Sequence, residues 1–492
     1  MEIFWEHLFK TQEIGHIYSL SHNIAFVSGL PGLKLGEMIV TESGEIGFCH
    51  GLKKDLAEVL MIATQKLKIG EKVARTNRGL EIPAKEGLLG RIINPLCQPI
   101  DNLGPIQGAI TYQKVIEKAP PFIERVKINK FLETGVIIVD LLVPIGLGQR
   151  ELVIGDAKTG KTAFLLQVIA SQAKKGAICI YVGIGKKDTA IRWVEESLKA
   201  QGILANTILM ATSPDDSPTL IYLAPYSGMA IAEYWRAKEK NVLIIFDDLT
   251  THAKIYREIS LLLKRAPGRD CYPGDIFHIQ AALMERAGNI KVGEKEVSIT
   301  ALPVAETLEN DISGYIQTNL AAMTDGHIFF DIDEYRKGKR PAVNVFLSVS
   351  RVGNQTKTTI EGLLSFWLRK KMVEYKRALE IIQFGSELTL ETKEIIEWGE
   401  RLEALFNQDI EILIPRKLQL LLVTLLVAGF WKDKSVIQMK KEIDSLLKAY
   451  NEGVLPEIKE KIEFIKDLDH LLFLTKEIIP EIEKVLKNYA YS

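Results

Sequence analysis

Residues 155–162 read Gly-Asp-Ala-Lys-Thr-Gly-Lys-Thr, and this stretch decides the fold. It fits the pattern G-x-x-x-x-G-K-[ST] at every fixed position. The apolar run 151–154 before it is typical of a buried strand, and the run 163–170 after it is typical of a helix. A glycine turn between a strand and a helix directs backbone N–H groups at an anion, which predicts a phosphate-binding loop.

The pattern assigns roles to residues of this loop. Lys161 would reach the β- and γ-phosphates of a nucleotide, and the Thr162 hydroxyl would hold Mg²⁺. We therefore predict ATP or ADP with Mg²⁺ as cofactors. The predicted nucleotide contacts in the loop are Gly155, Asp156, Lys158, Thr159, Gly160, Lys161 and Thr162. The alternative is a glycine turn with a chance lysine.

The composition excludes several classes of protein. Among 492 residues, 62 basic side chains nearly balance 63 acidic ones, which argues against a broad nucleic-acid surface. The 47% hydrophobic and 25% charged residues are typical of a globular chain. The cysteines do not pair as C-x-x-C, so they predict neither a disulfide framework nor a zinc site, and a reduced cytoplasm is expected. The four cysteines are Cys49, Cys97, Cys179 and Cys271.

The sequence predicts neither a secretory signal nor a transmembrane helix. The start, 1–6, lacks a basic segment followed by a long apolar run. The longest apolar helical run is Leu418 to Trp431, with Gln419 inside it, and it is shorter than the ~20 residues that a membrane crossing needs. We interpret it as a buried core helix, so a membrane role would go through partner subunits.

The pattern along the chain predicts three domains. Short strands with frequent turns in 1–77 indicate a small β-barrel. In 78–355, strands alternate with helices, which favours a mostly parallel α/β sheet of the RecA-like nucleotide-binding type. From 356 to 492 the pattern is helical. The expected strands of the central domain are 152–154, 178–182, 207–210, 242–246, 297–302 and 343–347, and the expected C-terminal helices are 366–382, 392–406, 417–431 and 457–486.

A second stretch that carries chemistry is the apolar run 242–246, which ends in Asp247 and Asp248. In phosphate-loop proteins a carboxylate at the end of a strand holds the metal through water, and Asp247 is our candidate. The alternative is that it is only a turn residue or a helix cap. Hydrolysis also needs a carboxylate that orients or deprotonates the attacking water, and in hexameric ATPases of this layout we expect it at the end of the strand that follows the loop helix. Lys186 stands there, and an ammonium with an ordinary pKa of ~10.4 cannot accept that proton.

The chain resembles the alpha subunits of F-type ATP synthases over nearly its whole length. The matching stretches are 134–162, 222–228, 247–249, 261–265, 267–269, 272–275, 340–341 and 348–353. The resemblance implies a barrel, a nucleotide domain and a helical domain. It also implies that this chain's own nucleotide site is non-catalytic, which agrees with Lys186: the catalytic beta subunit has Glu there, and the usual alpha has Gln.

The resemblance also implies roles for particular residues. Arg351 matches the arginine that alpha inserts into the catalytic site of the neighbouring beta subunit, although it could be a surface salt-bridge residue. Tyr335, Arg340 and Pro341 match positions that pack the adenine, and Tyr335 could instead be plain packing. Gln408 matches one glutamine near the adenine, whereas Ile410 replaces a second one, so we expect loose base selectivity.

The resemblance further implies partners and a place in the cell. Three such chains would alternate with three beta subunits around a central gamma shaft, with a peripheral stalk (delta) subunit as a further partner. The complex would couple ATP synthesis or hydrolysis to ion transport at the cytoplasmic face of the cell membrane. No nucleic-acid partner is expected.

Three other functions compete with this one. A homohexameric export ATPase of the same superfamily would need its own catalytic carboxylate, and Lys186 argues against that. A ring-shaped RNA translocase would carry a basic, aromatic-rich module before the core, which the N-terminal segment lacks. A nucleotide-binding structural subunit of a rotary ATPase that is not coupled to ATP synthesis remains compatible with the sequence.

Overall fold

A computed structural model of the chain describes residues 2–63, 66–383, 389–455 and 467–489. The chain divides into two compact units. The first unit comprises Met1–Lys127, Gly148–Ile154 and Gln172–Asp325. The second comprises Ile128–Leu147, Gly155–Ser171 and Gly326–Ser492. The predicted phosphate loop therefore belongs to the second unit, and the Asp247 carboxylate belongs to the first.

The first unit opens with a closed β-barrel. Its strands follow the order β1-β2-β5-β4-β3-β6, and every pair is antiparallel. Alternate apolar side chains such as Ile17, Val27 and Val59 fill the interior and are almost fully buried. The predicted N-terminal barrel is confirmed. Its elements are α1 (Glu2–Thr11), β1 (Ile14–Ser21), β2 (Ile24–Ser28), β3 (Glu37–Thr41), β4 (Ile46–Leu52), β5 (Ala57–Met61) and β6 (Lys72–Gly79).

The rest of the first unit is built on a mostly parallel sheet. Its strands follow the order β12-β17-β15-β13-β14-β8, with β16 antiparallel to β17, while β7 and β9 form a separate pair. The central strands β13 and β15 are buried at every residue, and helix α5 packs against both of them. The strands are β7 (Glu81–Ala84), β8 (Ile92–Ile93), β9 (Thr111–Lys114), β12 (Glu151–Asp156, whose last two residues enter the second unit), β13 (Ile178–Gly183), β14 (Thr207–Ala211), β15 (Val242–Asp247), β16 (Gly288–Val292) and β17 (Lys295–Thr307). The helices are α4 (Asp188–Ala200), α5 (Pro218–Ala237), α6 (Leu249–Leu262), α7 (Ile276–Met284) and α8 (Tyr315–Met323).

The second unit is mainly helical. Two short strand pairs, β10 with β11 and β18 with β19, accompany the helices. Helix α12 is buried along most of its length, as expected of a core helix, and ends before Gly429, whose φ is +78°. The elements are β10 (Phe131–Leu132), α2 (Ile137–Leu142), β11 (Ile145–Gly146), α3 (Lys161–Lys174, which ends in the first unit), β18 (Gly326–Phe330), α9 (Ile332–Arg336), β19 (Val349–Ser350), α10 (Thr359–Gln383), α11 (Leu390–Phe406), α12 (Arg416–Val427), α13 (Val436–Asn451) and α14 (Leu468–Tyr489).

One predicted strand is wrong. Val343 makes a single bridge with Phe330, and the chain then turns through 345–347. The Asn344 side chain explains the turn, because its oxygen accepts hydrogen bonds from the backbone N–H groups of Phe346 and Leu347 at 3.1 and 3.2 Å. In place of the strand expected at 343–347, the chain forms the short strand β19 at Val349–Ser350.

The helices expected at 366–382 and 392–406 are confirmed, and the one expected at 417–431 forms but ends at Val427. Helix α13 was not predicted, and the start of the helix expected at 457–486 lies outside the described residues. No helix in the described ranges combines the length and the apolar character that a membrane crossing requires.

Candidate functional site

The phosphate loop of the second unit connects the end of β12 to the start of α3. The Lys161 ammonium donates to the carbonyl oxygens of Gly155 and Asp156 at 2.7 and 2.6 Å. The Thr159 hydroxyl donates to the same Asp156 oxygen at 2.8 Å. These bonds hold the buried lysine inside the loop, while Lys158 is exposed with a φ of +64°. The loop therefore brings two cations and a helix N-terminus together, as an anion site requires.

The two glycines of the motif are required for different reasons. A Cβ at Gly155 would lie 2.2 Å from the Phe330 carbonyl oxygen, so no side chain fits there. Gly160 has a φ of +93°, which side chains disfavour. A Cβ at Gly160 would also lie 4.0 Å from Cε2 of Tyr335. The Tyr335 ring is therefore a neighbour of the loop within the second unit.

The residues expected to pack the adenine are next to one another. The central carbon of the Arg340 guanidinium lies 3.6 Å from the centre of the Tyr335 ring. The same guanidinium donates to the carbonyl oxygens of Tyr335 and Lys339 at 2.9 and 2.7 Å. Arg340 and the half-buried Pro341 also line a cavity of about 160 Å³, together with Tyr375. This arrangement offers a flat cationic face and an apolar wall, both of which suit a planar base.

Gln408 is engaged with the backbone. Its amide nitrogen donates to the carbonyl oxygens of Gly135 and Ile412 at 2.7 and 2.6 Å, and its oxygen accepts from the Ile137 N–H at 3.2 Å. The side chain is 5% exposed. These bonds order the turn before α2, and the contact of Gln408 with a base stays a prediction.

In the first unit, two carboxylates follow the apolar part of β15. Asp248 caps α6, since its carboxylate accepts from the backbone N–H of Thr251 at 2.6 Å. Asp247 accepts a hydrogen bond from the Tyr181 hydroxyl at 2.6 Å. The Lys186 ammonium lies 2.7 Å from Oδ1 of Asp247 and 2.9 Å from Oδ2 of Asp248. One lysine therefore forms ion pairs with both carboxylates.

The electrostatics of this cluster fix its protonation. Burial lowers the pKa of Lys186, but the charges of Asp247 and Asp248 outweigh burial, and the pKa is raised overall. Burial and the neighbouring Asp247 charge also raise the pKa of Tyr181 well above its usual range. Lys186 is therefore an ammonium and Tyr181 a neutral phenol at pH 7. As an ammonium, Lys186 cannot accept a proton in this cluster.

The remaining predicted site residues differ in their surroundings. Thr162 lies half-buried in the first turn of α3. Arg351 follows β19 and is exposed, and among the residues that the structure describes it makes no hydrogen bond or ion pair. Over the same residues, no cluster of three or more His, Cys, Asp or Glu side chains is arranged to hold a metal ion.

Sequence reasoning missed the partners of Asp247. Tyr181 belongs to β13, whose register with β15 places Gly183 opposite Asp247. The carboxyl ends of neighbouring parallel strands meet at one edge of a sheet, and this rule could have pointed to Lys186 as a partner of the two aspartates.

Comparison with known proteins agrees with this architecture. Residues 135–350 match the nucleotide-binding domain of the ATP synthase alpha/beta family, and residues 364–487 match the C-terminal domain of ATP synthase alpha/beta chains. The chain is 38% identical over 482 residues to ATP synthase subunit alpha of Caldanaerobacter subterraneus subsp. tengcongensis, covering 98% of this chain and 94% of that protein. The subunit alpha of Aquifex aeolicus is 37% identical over 465 residues, which cover 94% of this chain and 92% of that protein. The chain therefore belongs to the ATP synthase alpha/beta family, as an alpha-type subunit.

Proposed function

We propose that this chain is the regulatory, non-catalytic nucleotide-binding subunit of an F-type rotary ATPase. The observation that carries the proposal is the pairing of Lys186 with Asp247 and Asp248. The position of Lys186 is the one at which the resemblance expects a catalytic carboxylate in beta. An ammonium held between two carboxylates has no lone pair with which to accept a proton from water.

ATP turnover by the purified chain tests this proposal. We expect the chain to bind ATP and to hydrolyse it far more slowly than the ~10 s⁻¹ of a typical enzyme. Lys186→Glu in the isolated chain should restore little, because an arginine supplied by a second subunit would still be absent. Turnover of the unmodified chain near the typical rate would contradict the non-catalytic assignment.

The second part of the proposal gives Arg351 a role in a neighbouring subunit. Phosphoryl transfer builds negative charge on the γ-phosphoryl oxygens, and an arginine from the next subunit stabilises that charge by ~10³–10⁵ in rate. The support for Arg351 is its exposure, its lack of a hydrogen bond or ion pair within the described residues, and its position directly after a strand. Arg351 would stabilise the transition state more than bound ATP, so it should contribute little to the affinity for ATP.

Hydrolysis by the complex assembled with a beta subunit tests the role of Arg351. Arg351→Ala should lower the rate by ~10³-fold or more while assembly persists. Arg351→Lys should rescue poorly, since a compact ammonium does not reproduce the planar fork. Arg336→Ala is the matched control, because Arg336 is exposed and, within the described residues, forms an ion pair only with the exposed Asp333. A rate for Arg351→Ala within tenfold of the parent would assign the role to another arginine.

The remaining parts of the proposal follow the resemblance. Three such subunits would alternate with three beta subunits around a gamma shaft, with delta as the peripheral-stalk partner. The complex would couple ATP synthesis or hydrolysis to ion transport at the cytoplasmic face of the cell membrane, and this subunit would meet the membrane only through its partners. Stacking of the base beside Tyr335, Arg340 and Pro341 is supported by their adjacency. The domain limits 1–77, 78–355 and 356–492 stay predictions.

A further inference from the structure

The cavity that Arg340 lines has a buried apolar wall. Every described residue that lines the cavity belongs to the second unit, and helices α2, α10 and α11 and the segment 339–346 supply most of them. The apolar side chains of the wall include Val345, Leu402 and Phe406, all of which are buried. Close-packed protein interiors contain few voids larger than a water molecule, so a cavity of about 160 Å³ offers room for a ligand.

Helix α10 contributes one face to this wall. Met372, Tyr375 and Leu379 recur at intervals of three and four residues, which places their side chains on the same side of a helix. The Tyr375 ring packs against α11, because a Cβ at Gly399 would lie 2.1 Å from Cδ2 of that ring. The glycine therefore lets the aromatic ring lie against the neighbouring helix and fixes one aromatic part of the wall.

The charged side chains that line the cavity are half-buried or exposed, and they carry an excess of cations. Four of these side chains are basic and two are carboxylates. Glu334 lies 2.8 Å from the Lys337 ammonium and 2.5 Å from the Lys339 ammonium. Glu403 lies 2.7 Å from the same Lys339. The two carboxylates are therefore offset by two of the four cations.

The other two cations are Arg340 and Lys376. Arg340 donates to two backbone carbonyl oxygens, and the Lys376 ammonium lies 5.8 Å from the centre of the Phe346 ring. Within the described part of the chain, neither side chain forms an ion pair with a carboxylate. An anionic group at this place would therefore meet two positive charges that the chain itself does not offset.

The apolar wall and the two cations are together complementary to a ring that carries a negative charge. We propose that this cavity binds a small aromatic carboxylate, with the ring against the apolar wall and the carboxylate at Lys376 and Arg340. An engineered apolar cavity of about 150 Å³ binds benzene, so a cavity of about 160 Å³ accommodates one six-membered ring.

This site is separate from the nucleotide site proposed above. The cavity shares Arg340 and Pro341 with the place proposed for the base, but neither Tyr335 nor any residue of the phosphate loop is among the described residues that line it. The aromatic carboxylate therefore does not need a nucleotide in order to bind.

Isothermal titration calorimetry of the full-length chain with phenylacetate, in the absence of nucleotide, tests the proposal. We expect saturable binding with a Kd below about 1 mM, and binding of the neutral phenylacetamide about tenfold weaker or more. Lys376→Gln should weaken the binding of phenylacetate about fivefold or more and leave that of phenylacetamide unchanged. Lys370→Gln is the matched control, because Lys370 is exposed on the same helix and is not among the described residues that line the cavity. It should behave as the parent does.

Three results would overturn the proposal. The first is no saturable binding of phenylacetate up to about 10 mM, which is well above the Kd expected for a ligand of this size. The second is a Lys376→Gln variant that binds phenylacetate as tightly as the parent. The third is displacement of phenylacetate by saturating ATP, which would assign the cavity to the base of the nucleotide. Failure of the chain to bind ATP would instead overturn the proposed function alone, since the titration with phenylacetate contains no nucleotide.

Discussion

The pH dependence of stability should reveal the ionisation of one buried carboxyl group, that of Asp140 in α2. Its side chain is 3% exposed. One oxygen accepts the Thr134 N–H and hydroxyl at 2.9 and 2.7 Å. The other accepts the Gly135 N–H at 3.0 Å and the Gln419 amide at 2.7 Å. Burial therefore raises the pKa of this carboxyl group, whereas the hydrogen bonds from the four donors lower it.

Burial is the larger effect, and it raises the pKa of Asp140 from 3.8 to about 6 against the hydrogen bonds of Thr134 and Gln419. A carboxyl group with a raised pKa binds its proton more tightly in the folded state. Its contribution to stability is complete below the unfolded pKa and is lost as the pH rises through about 6. The size of the loss is about 3 kcal/mol, at about 1.4 kcal/mol for each tenfold change in proton affinity.

The assay compares the free energy of unfolding in urea for the parent and Asp140→Asn between pH 4.5 and 7. Since asparagine does not titrate, the parent should lose about 2 kcal/mol relative to the variant across this range, because pH 4.5 lies about 1.5 pH units below the folded pKa of about 6. Asp101→Asn is the control. Its hydrogen bond to Arg91 lowers the pKa of Asp101 to about 2, so its contribution is lost only at lower pH. A parent–Asp140→Asn difference that stays constant, or that changes in the opposite direction, would mean that the donors outweigh burial.

Further predictions concern the phosphate loop and the base. Lys161→Ala should remove a charge-assisted phosphate contact of ~1.5–3 kcal/mol and weaken binding of a fluorescent ATP analogue about ten- to hundredfold. Lys174→Ala, at the far end of α3, should leave the affinity unchanged. Unchanged affinity of Lys161→Ala would mean that the loop does not bind phosphate. Because Ile410 offers no hydrogen bond, ATP should be preferred over GTP by less than about a hundredfold in competition binding. Gly155→Ala places a Cβ 2.2 Å from a carbonyl oxygen and should cost ~1–3 kcal/mol in urea unfolding, while Gly362→Ala, whose Cβ meets nothing within 4 Å, should be tolerated.

The fold could be predicted where one local pattern decides the structure. The run 242–246 is apolar throughout because β15 is buried on both faces, and such a run identifies a parallel strand without further context. The run 343–347 has a similar composition but fails, because one hydrogen-bonding side chain, Asn344, turns the backbone. Helix α13 was not predicted because the apolar pattern of its sequence is weak. Its buried residues are only Met439, Leu446 and Ala449, so its apolar stripe is narrow.

The candidate site could be predicted only in part. The phosphate loop is made by consecutive residues, so its chemistry is visible in the sequence. The bonds of Gln408 join it to Gly135 and Ile137, more than 270 residues earlier, and the sequence could not show that its amide is committed to backbone groups. Lys186 was identified as the wrong residue for a base. Its pairing with Asp247 depends on the register of two strands, which only the structure supplies.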